Sequence, residues 1–216
     1  NKGRIWKYDL LDGGNGAVFY DNAISGNEND YLGRGIAASD THLYALKGIW
    51  HINETFLVSI EIATGTITNE VSLENNAEFR ESTHSSELLL FNDGKLYVGH
   101  QYHNSREGAV YVYDENLNLL NTITPHSGLT DPSGARVEFG TSLAISDGNV
   151  YVGAKYEKGS NGVSYAGAVY VFNVSDYSYS YKIQHPTPTE SANFGRNISA
   201  DNGYLLVGTP EETNNS

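Results

Sequence analysis

A period near 54 residues constrains this chain more than any other feature. Four stretches align: LGRGIAASDTHLYALKG from Leu32, SSELLLFNDGKLYVGHQY from Ser85, FGTSLAISDGNVYVGAKY from Phe139 and FGRNISADNGYLLVGTPE from Phe194. Their second residues, Gly33, Ser86, Gly140 and Gly195, stand 53, 54 and 55 residues apart, so four units account for the 216 residues. A repeat of this size is one supersecondary unit, and it buries its apolar faces by stacking on copies of itself.

The columns of the alignment show what each unit is. Three residues after the marker stand Ile36, Leu89, Leu143 and Ile198; in a second run stand Tyr44, Tyr97, Tyr151 and Leu206. A third run follows as FLVSI from Phe56, AVYVY from Ala109 and AVYVF from Ala168, and a fourth as TNEVSL, LLNTIT and YSYKIQ from Thr68, Leu119 and Tyr179. Short runs rich in β-branched and aromatic residues, bounded by turn residues, are strands. The first two runs are joined by Asp93-Gly94, Asp147-Gly148 and Asn202-Gly203, with Asp40-Thr41 a weaker copy. Such dipeptides suit the positive φ of a two-residue hairpin turn. The pattern predicts an all-β protein, a β-propeller of four-stranded antiparallel blades, as one domain over 1–216. The blades are expected near 32–72, 85–125, 139–184, and 194–210 plus 1–22. The last unit carries only two runs, while the N-terminus supplies two more, and Gly3–Tyr8 aligns with Gly108–Tyr113. Strands 3–9 and 15–21 are therefore expected to complete the last blade and close a four-blade ring without an open edge. The chain begins without Met, so the rival expectation is a segment of a longer array.

At these residues the chain resembles the FG-GAP repeat family, which includes the integrin α-subunit propeller and many bacterial and viral surface proteins. The carriers are Phe139-Gly140, Val152-Gly153-Ala154, the run Ala166–Phe172, Phe194-Gly195 and Val207-Gly208, with a partial copy at Gly99 and Gly108–Tyr111. The likeness extends over roughly 85–210. Over 1–70, YALKG at 44–48 and IEIATGTI at 60–67 look more like a quinoprotein-type propeller repeat. Many members of the family hold Ca²⁺ in an Asp-rich loop between the first two strands of a blade. Here that loop has shrunk to two residues, too few for the several oxygen ligands calcium requires. No calcium site, other metal or cofactor is expected. The resemblance implies an extracellular, cell-surface or virion-surface setting.

Charge narrows the partners. The formal net charge is −13, from 26 acidic and 13 basic residues, and no basic stripe exists to displace counterions from nucleic acid. No apolar run is long enough to span a bilayer, so no direct membrane insertion is expected. Cys is absent. In a blade, the loop between the second and third strands and the loop to the next blade open on one face. These are the long connections here, and long loops tend to carry binding. That face would display Trp50, His51, His100, Tyr102, His103, Tyr156 and Tyr165 as ligand-contact candidates, aromatics among Asn, Ser and Gly that suit a protein or glycan partner. His100 and His103 offer two metal donors without an obvious third, and no metal site is assigned. The residue after each marker gives a column for the channel mouth: Arg34, Glu87, Thr141 and Arg196. Sequons stand at Asn53, Asn173, Asn197 and Asn214; Asn53 and Asn173 are the candidates for glycosylation in a secretory host, and Asn197 is expected to be inaccessible within an inner strand. The chain thus reads as a non-catalytic binding or structural module. A propeller enzyme of the quinone-dependent dehydrogenase, lyase or glycosidase type would need convergent titratable groups, and Glu87 alone does not make a glycosidase pair. The third reading is a purely architectural component of a larger assembly.

Overall fold

A computed structural model describes residues 4–8, 16–21, 31–49, 54–73, 88–125 and 136–212. The first complete blade is a sheet in the order β3 (Tyr31–Ala38), β4 (His42–Ile49), β5 (Glu54–Glu61), β6 (Ile67–Ser72). The second contains β7 (Leu88–Asn92), β8 (Lys95–His100), β9 (Ala109–Asp114) and β10 (Leu119–Ile123), the third β11 (Phe139–Ser146), β12 (Asn149–Ala154), β13 (Ala168–Asn173) and β14 (Tyr179–Gln184), each paired in sequence order. β1 (Arg4–Tyr8) pairs with β2 (Gly16–Asp21), and β15 (Ile198–Asp201) with β16 (Tyr204–Val207). The protein is an all-β, β-propeller-type fold. Two compact units can be distinguished: Asn1–Leu96 with Tyr113–Asn118, and Tyr97–Val112 with Leu119–Ser216.

Burial follows the position of a strand in its blade. β9 and β13, AVYVYD and AVYVFN, are buried at five consecutive positions. A strand apolar at every position is one covered on both faces, as the inner strands of stacked sheets are. The last strand of the first complete blade alternates instead: β6, ITNEVS, runs half-buried then exposed along its length. The hairpins have the turns that their dipeptides predict. Asp93 and Gly94, Asp147 and Gly148, and Asn202 and Gly203 all take positive φ, between 48° and 77°, which is the type I′ turn matched to strand twist.

The Phe-Gly and Gly-Ala pairs of the repeat have a common structural task. Gly108 bridges in parallel to Phe139, and Gly167 to Phe194. The amides of Glu138 and Phe139 donate to the carbonyls of Arg106 and Glu107 at 3.0 and 3.1 Å, and those of Asn193 and Phe194 to Tyr165 and Ala166 at 3.0 and 2.9 Å. The two main chains run so close that a Cβ at Gly108 or Gly167 would sit 2.0 or 2.1 Å from the carbonyl oxygen of Phe139 or Phe194. A Cβ at Gly140 or Gly195 would lie 2.6 Å from the Ala109 or Ala168 oxygen. Phe-Gly of one unit thus clasps Gly-Ala of the unit before it. Phe139 then turns its ring edge-on to Tyr170 and Phe172, at centroid distances of 5.4 and 5.8 Å.

Both hairpins expected of the last blade form, β1–β2 and β15–β16 each as a two-stranded sheet. A side chain anchors the N-terminal hairpin. Ile5 is buried in a cluster with Leu32, Ala45, Val58 and Ile60, and burying such a side chain stabilises by about 1.5–3 kcal/mol.

Candidate binding site

In the unit Tyr97–Val112 with Leu119–Ser216, loop residues from three successive repeats line one cleft of about 320 Å³: Arg106, Arg136, Tyr156, Tyr165, Ser191, Asn193 and Glu211. The clasps place most of them. Arg106 and Tyr165 each stand two residues before a clasp glycine, and Asn193 stands directly before the clasp residue Phe194, as Glu138 stands before Phe139. All four have positive φ, from 51° to 76°, a conformation costly for side chains other than Gly and Asn. Because the same φ recurs at equivalent positions, this backbone strain belongs to the clasp. The cleft's individuality lies in the side chains that the clasp displays.

Ion pairs hold the charged residues of the lining. Glu138, with its side chain 2% exposed, meets Lys155 Nζ at 2.8 Å and Arg106 Nη1 at 3.5 Å. Glu211 accepts from Arg196 Nη1 at 2.6 Å and from Asn193 Nδ2 at 2.7 Å. Arg106 lies over the Tyr102 ring at 5.0 Å. Tyr156 and Tyr165 meet edge to face at 5.0 Å, and Tyr165 is exposed. Burial raises the pKa of the Tyr156 hydroxyl, and the Glu138 and Glu211 carboxylates add to the effect. Tyr156 is therefore a neutral hydrogen-bonding group at physiological pH.

The structure distributes the sequence candidates as follows. Tyr156 and Tyr165 line the cleft and Tyr102 supports it beneath Arg106. Arg196 reaches it through Glu211. His100 and His103 form a different cluster: His100 is buried at the end of β8, its ring 5.8 Å from His103 and 6.0 Å from Tyr111. His103 Nδ1 is 2.9 Å from the Tyr111 hydroxyl, and His103–Arg106 forms a short helical turn, α1, in which Asn104 and Ser105 adopt left-handed conformations. Burial, and secondarily His103, pushes the His100 pKa down to about 3, so His100 is neutral at physiological pH. Among the described residues no three His, Asp or Glu side chains gather as metal ligands.

Thr141 of the channel-mouth column donates to Gln101 Oε1 at 3.0 Å. Arg34 lies on β3, and its side chain, like Trp50, His51, Asn53, Glu87 and Asn214, falls outside the described residues. Asn173 is exposed at the end of β13, its Oδ1 accepting from the amide and hydroxyl of Ser175 at 2.8 Å. Asn197 corrects its expectation: it is exposed and precedes β15.

Sequence reasoning missed Arg106, Arg136, Ser191, Asn193 and Glu211. Arg106 and Asn193 were within reach, because they occupy columns immediately before the clasp residues. Arg136, Ser191 and Glu211 stand in loops whose lengths differ between units, where no column exists to compare.

No protein-family model matches the chain, and no curated protein sequence matches it. Among solved structures, Sqt1 of Saccharomyces cerevisiae superposes with a TM-score of 0.54 at 12% identity, over 94% of this chain and 50% of that one. A europium-containing methanol dehydrogenase superposes with a TM-score of 0.49 at 13% identity, over 89% of this chain and 41% of that one. The chain spans about half the length of the Sqt1 structure and less than half of the dehydrogenase, and what the likeness to Sqt1 shows is the fold, that of a β-propeller.

Proposed function

We propose that this chain is a non-catalytic recognition module that takes a protein or glycan partner on the face where its long loops end. The supporting observation is the convergence of three successive repeats on one cleft containing the Tyr156–Tyr165 pair. Aromatic rings beside Ser, Asn and Arg give contact area at low entropic cost together with adaptable hydrogen bonds. The clasp geometry supports reading the repeat as FG-GAP type, because Phe-Gly and Gly-Ala answer each other across successive units. With that reading comes a place on a cell surface, in a secreted protein or on a virion.

The test is binding of the chain to immobilised glycans and surface proteins. Replacing Tyr156 and Tyr165 together by Ser is expected to weaken the specific signal at least tenfold. Unchanged binding by that variant would exclude this face.

A second reading has its own observation. β16 pairs only with β15 among the described residues, and it exposes Tyr204 and Leu206 at 77% and 71%. An open strand edge with apolar side chains is a template for further pairing, which suits an architectural part of a larger assembly. Replacing Tyr204 and Leu206 by Ser separates the two readings, because it abolishes assembly while sparing ligand binding.

A further inference from the structure

The cleft has an excess of positive charge in a chain whose net charge is −13. Its lining sets Arg106 and Arg136 against the carboxylate of Glu211, and Arg106 and Glu211 in turn meet Glu138 and Arg196, which do not line it. Both carboxylates are already engaged. Glu138 is held at 2.8 Å by Lys155, a shorter contact than its 3.5 Å approach to Arg106. Glu211 is held by Arg196 and Asn193. Arg136 is exposed and makes no ion pair or side-chain hydrogen bond among the described residues. Arg106 keeps its guanidinium over Tyr102, its side chain 32% exposed. A guanidinium presents five donors in a planar fork, so a single 3.5 Å contact leaves most of the Arg106 fork available, and the whole Arg136 fork is available.

The rest of the lining complements these donors. Tyr165, 48% exposed, lines the cleft with its ring packed against that of Tyr156. The Ser191 hydroxyl lines the same cleft. A cavity of about 320 Å³ stands at the small end of ligand sites, sized for one compact ring with its substituents and too short for an extended peptide.

We propose that this cleft binds a sugar bearing a carboxylate, of the uronate or sialate class, with the carboxylate on Arg136 and Arg106 and the ring's C–H face against Tyr165. The Ser191 and Tyr156 hydroxyls meet the sugar hydroxyls. This inference rests on the reading of the loop-end face as the contact surface and assigns its ligand class.

Calorimetric titration of the full chain with N-acetylneuraminic acid and with glucuronic acid, each beside its neutral methyl ester, tests it. At least one free acid is expected to bind at least tenfold more tightly than its ester. Arg136→Gln is expected to reduce that affinity at least tenfold without a change in melting temperature. Tyr165→Asn removes the ring while keeping a residue tolerant of φ 55°, and is expected to do the same. Raising NaCl from about 50 to 500 mM is expected to weaken binding several-fold, since exposed ion pairs are screened. Equal binding of acids and esters, or binding of neither acid, overturns the proposal. Binding of an Asp/Glu-rich peptide in place of the acids, sensitive to Arg136→Gln, overturns the sugar assignment while leaving the contact face standing. Binding of an acid that survives both substitutions overturns the contact face as well.

Discussion

At the scale of single residues, the repeat's glycines do two different jobs, and substitution separates them. Gly94 and Gly148 have positive φ with open space around the position of a Cβ. Alanine there is expected to cost only the left-handed backbone, about 1–2 kcal/mol. Gly108 and Gly167 have positive φ and also a backbone oxygen within 2.1 Å of that position. Alanine at either has to push two packed main chains apart, and a loss of at least about 3 kcal/mol is expected. Urea unfolding of Gly94→Ala and Gly167→Ala measures the difference; equal losses would mean that the clasp is not closely packed.

His100 carries a pH dependence whose sign follows from its burial. The folded chain keeps the ring neutral, with its pKa lowered from 6.5 to about 3. The unfolded chain takes up a proton below about 6.5. The contribution is therefore fully present above pH 6.5 and is lost as the pH falls toward 3, at up to about 1.4 kcal/mol per pH unit. His100→Phe is expected to flatten the stability profile between pH 6.5 and 4. An unchanged slope in that variant would place the ring in contact with water.

At the scale of elements, the hairpins were legible because their information is local. Asp-Gly and Asn-Gly specify the turn, and alternation or continuous burial specifies the strand's depth in its blade. The clasp was legible only as a resemblance in sequence. Its cause, main chains at touching distance, requires two units placed side by side. The cleft was half legible. Tyr156 and Tyr165 were recognisable as loop aromatics, whereas Arg136, Ser191 and Glu211 come together only through three repeats distant in sequence. β16, which pairs only with β15 among the described residues, has a consequence of its own. Leu206→Lys is expected to change stability by no more than about 0.5 kcal/mol, as exposed substitutions do. It should also reduce self-association at high concentration, measured by light scattering. Increased association in that variant would remove the edge as a contact.

At the scale of the whole molecule, repeated blades supply a frame, and loops of unequal length supply its individuality. The frame repeats Phe-Gly against Gly-Ala, while the loops set arginines and tyrosines around a cleft in a chain of opposite overall charge. Hydrogen exchange of the full chain, alone and with the strongest binder found among the immobilised glycans and proteins, tests this division most directly. The account predicts slower exchange on binding at 102–106, 156–165 and 189–196, with 204–207 unchanged. Protection confined to 204–207 would contradict it and make the β16 edge the contact surface.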